Sequence, residues 1–163
     1  MNPRNTLIVA SLIGAVGTGI IGGIFYGFSS FIMAALGRLA PDRATDAMNA
    51  INVTVITPSF LGWFMGMALV CGVIAAGALL NWQETAAKLA FAASLAYLVG
   101  TFGVTMFLNV PLNDQLATVE PAQIATMWPK YLDVWTTWNS VRTFFAVISS
   151  ALFMLALVFA PAA

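Results

Sequence analysis

The sequence predicts an all-α integral membrane protein, a four-helix bundle with a short amphipathic helix in its first long link. Three observations predict it. Side chains are 61% hydrophobic and only 7% charged, against roughly 25% charged in an ordinary soluble domain. A chain of 163 residues cannot hide that much apolar surface from water, so its solvent is lipid. Four apolar stretches reach the length of a membrane-crossing helix, about 20 residues. The links between them carry no internal repeat or low-complexity segment. An antiparallel bundle within one domain, residues 1–163, is the expected arrangement.

The first span covers about residues 7–36. Its uncharged stretch runs from Asn5 to Gly37, far beyond the roughly 7–15 residues of a signal-peptide core, and reads as a retained helix. It holds Gly14, Gly17, Gly19, Gly22, Gly23 and Gly27. Small residues let membrane helices approach closely; they also clear space for a flat ligand. The same face is the expected seam of a homo-oligomer. The second span is 59–80, bounded by Pro58 and the polar NWQET; the third is 86–109, stopped by Pro111; the fourth is 143–159.

Between the second and third spans lies only a tight turn. The other two links are longer and share one side of the membrane, which predicts a cap there. In the first, Pro41 and Asp42 suit a helix start and Pro58 lies beyond its end. Met48, Ile51, Val55 and Ile56 have near-helical spacing, so this segment lies on the bundle or in the interface. The second has turn chemistry around Pro111 and Asn113 and again at Glu120–Pro121. A pre-span helix, about 128–142, then begins before Trp128 or at Pro129 and runs into the fourth span. The capped side carries Arg38, Arg43, Lys130 and Arg142, the other Arg4 and Lys88. That mildly favours a cytoplasmic cap, in what is expected to be a bacterial inner membrane.

Composition also excludes. Six basic side chains balance six acidic ones, and no basic patch exists to neutralise phosphates, so no nucleic-acid partner is expected. Histidine is absent, which removes the commonest metal ligand and the usual general base. The acids form no ligand motif, and neither a metal nor another cofactor is expected. Cys71 sits alone in an apolar run and has no partner for a disulfide. Met33, Met65, Met67 and Met106 read as helix packing. No phosphate loop, nucleophile triad or CxxC pair occurs.

Chemistry concentrates in KYLDVWTTWNSVRTF, residues 130–144. Tyr131, Trp135, Trp138 and Arg142 follow one another at helical spacing on one face, with Asn139 and Thr143 beside them. One reading is an aromatic belt, with Arg142 snorkelling to headgroups. The other is a site, because an ionisable residue at the start of a span marks function by default. Other polar residues fall at the same membrane face: Asn109 and Asn113 after the third span, Asn49 and Asn52 in the first link, Tyr26 in the first span. Buried amides need partners, although each asparagine alone is equally a cap or turn residue. Asp133, Asp114, Asp42 and Asp46 are candidate counterions for Arg142, none at helical spacing from it.

The stretches FYGFSSFIMAALGRL, AMNAINVTVITPSFLG, FLNVPLNDQLA and WPKYLDVWTTWNSVRTF stand in the order and spacing of the anthrone oxygenase-like family. The resemblance extends from about Gly22 to Leu155, and its motifs NVPLN and W-x-x-W-N-x-V-R-T are specific in combination. One departure is Ala34, where the family pattern has proline after the methionine. The resemblance implies a four-helix membrane protein. In some fungal members it implies oxidation of an anthrone to an anthraquinone in polyketide pathways, with oxygen and no obvious cofactor. Such chemistry needs an apolar slot, a base, and a cation for the developing oxyanion. On that footing Arg142 holds the oxyanion, Asn109, Asn113 and Asn139 donate hydrogen bonds, and Asp133 or Asp114 is the base. Trp135 and Trp138 stack on the substrate rings, and Tyr26, Asn49, Asn52, Trp128, Tyr131 and Thr143 complete the binding set. The expected function is a cofactor-independent oxygenase acting on a hydrophobic polycyclic, anthrone- or quinone-like substrate. The alternative is a non-catalytic protein that binds a lipid, quinone or partner subunit through the same face.

Overall fold

The structure is a computed structural model and describes residues 3–160; the side chain of Arg4, counted in the charge balance above, lies outside the described residues. The first span is α1 (Pro3–Gly27), a π-helical segment π1 (Phe28–Ile32) and α2 (Met33–Leu36). The first long link folds as α3 (Pro41–Thr54), and the second span is α4 (Pro58–Leu80). The third span is α5 (Thr85–Leu95), π2 (Ala96–Gly103), π3 (Thr105–Asn109) and α6 (Val110–Ala117). A short 3-10 turn at Pro121–Gln123 leads into α7 (Ile124–Val158). Among the described residues no strand occurs. Among the described residues four helices are long and apolar enough to cross a membrane, and the chain is a multi-pass, all-α membrane protein.

Local chemistry accounts for most boundaries. Pro41 opens α3 with Asp42 in its first turn, and Thr57 caps α4 by accepting from the Phe60 N–H at 3.2 Å, ahead of Pro58. Pro111 does not end the third helix, contrary to its expected role as a stop. The Val110 N–H bonds the Thr105 carbonyl five residues back. The hydrogen-bond register has therefore already slipped to the wider π spacing where the proline ring would otherwise meet a carbonyl. The helix continues to Ala117, so Asn113 sits on a helix rather than in a turn.

α7 is the central element, packed on α1, α5, α3 and all three π segments. Ile21, Phe25, Phe64, Met67, Tyr97 and Phe153 form the core of the bundle. Hydroxyls tie the helices there: Ser149 Oγ donates to the Ala93 carbonyl and Ser150 Oγ to the Ala15 carbonyl, each at 2.8 Å. The Tyr97 hydroxyl donates to the Phe64 carbonyl at 3.0 Å. Such bonds join helices that lipid gives no hydrophobic reason to associate. Leu69, Leu80, Val99, Phe107 and Val158 face outward. So do Met65 and Met106, which are not packing residues as their sequence setting had implied.

The glycines of the first span mostly serve this packing. A Cβ on Gly14 would fall 2.7 Å from the Phe153 ring, and one on Gly22 would meet the Ala146 Cβ at 3.3 Å. Gly23 faces open space. At the other end of the bundle both long links converge. Met33, Leu36, Ala44, Met48, Leu116, Trp128, Tyr131 and Trp135 make a second apolar cluster, which is the cap. Ile51 packs against it, while Ile56, past the end of α3, points outward.

Candidate functional site

Along α7 the buried residues are Trp128, Tyr131, Trp135, Asn139, Arg142, Ala146, Ser149, Phe153 and Ala156. Successive members are three or four residues apart, the seam a helix buries against neighbours on several sides. Asn139, not Trp138, continues the row between Trp135 and Arg142; Trp138 is half-buried at its edge. The rings of Trp128, Tyr131 and Trp135 stack in series, at 5.7 and 6.2 Å between centroids, and Phe28 covers Trp135 at 5.7 Å. Their faces are occupied by one another, so Trp135 walls the site rather than offering an open stacking surface.

Arg142 is 4% exposed; it does not snorkel. Nη2 donates to Asn139 Oδ1 at 2.6 Å and Nη1 to Thr105 Oγ1 at 3.2 Å. The guanidinium lies 4.1 Å from the Phe25 ring centroid and 5.1 Å from that of Trp135, both attractive to a cation. Every one of these partners is neutral. Asp42, Asp46, Asp114 and Asp133, the expected counterions, are all exposed. The Arg142 Nε donor is buried without a partner. A guanidinium has five donors, so this cation keeps capacity for an acceptor.

Span three supplies one wall. Thr101 Oγ1 donates to the Arg142 carbonyl at 3.2 Å, and Thr105 Oγ1 donates to the Thr101 carbonyl at 2.8 Å. Asn109 Nδ2 donates to the Trp135 carbonyl at 3.2 Å, while its Oδ1 is buried and unpartnered. Asn113 Oδ1 accepts twice, from the Tyr131 hydroxyl at 2.9 Å and from Trp135 Nε1 at 2.8 Å. Asn52 stands beside the Tyr131 hydroxyl, and Asn49 Oδ1, Asn52 Nδ2 and Thr45 Oγ1 are further buried atoms without partners. Buried polar groups are usually satisfied, so this concentration of unpaired ones under the cap sets the region apart.

Span one supplies the other wall. Asn139 Nδ2 donates to the Phe25 carbonyl at 2.8 Å and to Ser29 Oγ at 2.7 Å. Ser29 Oγ is 3.0 Å from Ser140 Oγ, and Ser140 Oγ donates to the Thr136 carbonyl at 2.9 Å. Outside Ser29 runs a groove of about 440 Å³, lined by Ser29, Met33, Ala34, Pro129, Leu132, Asp133, Thr136, Thr137 and Ser140.

The structure thus brings Arg142, Asn139, Asn109 and Trp135 together, with Asn113, Tyr131 and Asn52 one step further toward the cap. Trp128 lies in the cap. Thr143 turns its hydroxyl back to the Asn139 carbonyl at 2.9 Å. Tyr26 is 63% exposed and faces away from the cluster, because the turn before π1 points Phe25 inward instead. Asp114 lies on the outer side of α6, and Asp133 opens on the groove, away from Arg142. Phe25, Ser29, Thr101, Thr105 and Ser140 did not figure among the expected residues. The paired serines of FSSF, and two threonines four apart in an apolar span, were the available signals. Among the described residues no three His, Cys, Asp or Glu side chains group closely enough to hold a metal.

Residues 60–152 match the anthrone oxygenase family, more than half of the chain, including Thr105, Asn109, Trp135, Asn139 and Arg142. No curated protein and no solved structure matches. The extent of that match, over the four-span helical architecture, establishes that the chain belongs to the anthrone oxygenase family.

Proposed function

We propose that the chain is a membrane-embedded oxygenase acting on a hydrophobic polycyclic ketone of the anthrone type, or a quinone-like relative, without a cofactor. The observation that carries this reading is the buried Arg142 surrounded by neutral partners. A cation in a low-dielectric site with no carboxylate beside it holds a positive potential ready for an oxyanion. Loss of a proton from the substrate CH2 sends the electron pair to the ketone oxygen, where Arg142 stabilises it. The electron-rich ring then passes electrons to dioxygen and a carbon–oxygen bond forms. The resulting hydroperoxide loses water to give the second carbonyl. Overall, CH2 and dioxygen become a carbonyl and water.

A specific observation favours a second reading. Neither Asp133 nor Asp114 lies beside Arg142, so the same face suits a protein that binds a lipid, quinone or partner subunit without chemistry. Incubation of the purified protein with anthrone under heavy-isotope dioxygen separates the two. The oxygenase reading expects enzyme-dependent anthraquinone carrying one labelled oxygen. Binding of anthrone without oxygen uptake above the protein-free rate supports the second reading. In either case the proposed setting is a bacterial inner membrane with the cap on the cytoplasmic side. Arg38, Arg43 and Lys130 lie on that side against Arg4 and Lys88 on the other, and buried Arg142 does not count toward that balance.

A further inference from the structure

We propose that the groove between π1, α2 and α7 is the seat of the substrate, and that the Ser29 hydroxyl delivers the charge of Arg142 to its oxygen. This deepens the oxygenase reading and rests on it. The groove residues of α7 are Pro129, Leu132, Asp133, Thr136, Thr137 and Ser140, one helical face. Its volume of about 440 Å³ falls within the roughly 300–1,000 Å³ of small-molecule sites. Met33, Ala34 and Leu132 give an apolar wall for a flat ring system; hydroxyls and one carboxylate give the polar edge.

The bonds from Arg142 to Ser29 have one direction. Arg142 can only donate, and it donates to Asn139 Oδ1. Asn139 Nδ2 donates to Ser29 Oγ. Ser29 Oγ and Ser140 Oγ are 3.0 Å apart and either hydroxyl can donate; with the Ser140 hydrogen on the Thr136 carbonyl, we assign the donor to Ser29. The chain therefore runs outward from a buried cation and ends on a hydroxyl hydrogen at the groove. Each amide or hydroxyl in such a series polarises the next. The π1 segment sets this up. It places Ser29 against Asn139, which also binds the Phe25 carbonyl just before π1, and π-helical turns often mark functional sites.

The groove also lies at a useful depth. Asp133 is ten residues before the start of the apolar run at Thr143, about 15 Å along a helix, so the groove spans the polar boundary of the membrane. In the step we assign, the Asp133 carboxylate takes a proton from the substrate CH2. The C–H pair delocalises onto the ketone oxygen, and Ser29 turns its hydrogen from Ser140 to that oxyanion. Asp133, now a neutral acid, returns the proton to the peroxide formed with dioxygen. Ser29 and Asp133 touch the substrate; Asn139 and Arg142 act through Ser29 as positioning residues.

The test uses the whole protein in mild detergent, with anthrone for turnover and anthraquinone, which is not consumed, for equilibrium binding. Ala34→Phe fills the groove without touching the Arg142 network and should abolish anthraquinone binding. Ser29→Ala should lower kcat for anthrone about a hundredfold with KM little changed, and Ser29→Thr should restore most of it. Wild-type rates in both Ala34→Phe and Ser29→Ala overturn the groove and leave the oxygenase reading standing. If wild type binds anthraquinone, loses it in Ala34→Phe, yet never oxidises anthrone, the oxygenase reading fails and the binding seat stands. If anthraquinone binding survives Ala34→Phe and bulk lipid alone copurifies equally with both proteins, the groove is only a lipid contact.

Discussion

Arg142 Nη2 meets Asn139 Oδ1 at 2.6 Å, and the two residues lie one helical turn apart on α7. The buried cation thus carries its closest acceptor on its own helix, and that acceptor is an amide. Because an amide oxygen accepts while its nitrogen donates, Asn139 passes polarity from Arg142 to Ser29 without cancelling the charge.

Asn139→Asp replaces that amide with a carboxylate. The new ion pair keeps Arg142 satisfied, so the fold should survive; the donor to Ser29 and the Phe25 carbonyl is lost and the positive potential is neutralised. Turnover of anthrone should fall by about a hundredfold or more in protein that still folds, measured at matched folded content. Asn139→Leu instead takes away the acceptor of the buried guanidinium and should cost about 1–3 kcal/mol or more, read as loss of folded protein in detergent.

Asn113 is a hub in the same sense. Its Oδ1 accepts from both Tyr131 and Trp135. Tyr131→Phe removes one donor and should cost about 1 kcal/mol. Asn113→Leu leaves two donors without an acceptor, at about 1–3 kcal/mol each. In the double mutant Asn113→Leu, Tyr131→Phe part of that loss should be recovered, a coupling that a denaturation cycle measures. Strict additivity would mean that the shared acceptor has no energetic role.

Glycine substitutions should rank by what a Cβ meets. On Gly100 it falls onto the Phe145 ring near its Cβ, which cannot move without the backbone of α7; about 1–3 kcal/mol of overpacking follows. On Gly17 it meets the Met67 sulfur, the flexible part of a long side chain, and the cost should be smaller. Gly23→Ala meets nothing within 4 Å and should be neutral or stabilising by up to about 1 kcal/mol. Thermal unfolding of the three variants in one detergent gives the order directly.

The spans were legible because length and apolarity act directly on a membrane helix: any stretch like 59–80 has one stable place to go. The row ending at Arg142 was legible because a period near 3.6 survives in the letters. Its rotation was less so, since Trp138 and Asn139 straddle the edge of one face and only packing against Phe25 and Ser29 decides which turns inward. The π segments left no mark in the sequence, because a slip in backbone hydrogen bonding needs no particular side chain. That is why Pro111 looked like a stop, and why Ser29, Thr101 and Thr105 looked like ordinary residues of apolar helices. Tyr26 and Phe25 are neighbours of similar shape, and the sequence offers no ground for choosing between them.

The central claim is that Arg142 holds an unneutralised charge for use on a substrate oxygen. Oxygen uptake with anthrone, corrected for the protein-free rate, in wild type, Arg142→Lys and Arg142→Gln of matched folded content tests it most directly. The account predicts strong loss in Arg142→Gln, about a hundredfold or more in kcat/KM, with partial activity in Arg142→Lys, which keeps charge but not the fork of donors. Folded Arg142→Gln protein oxidising anthrone at the wild-type rate would contradict it.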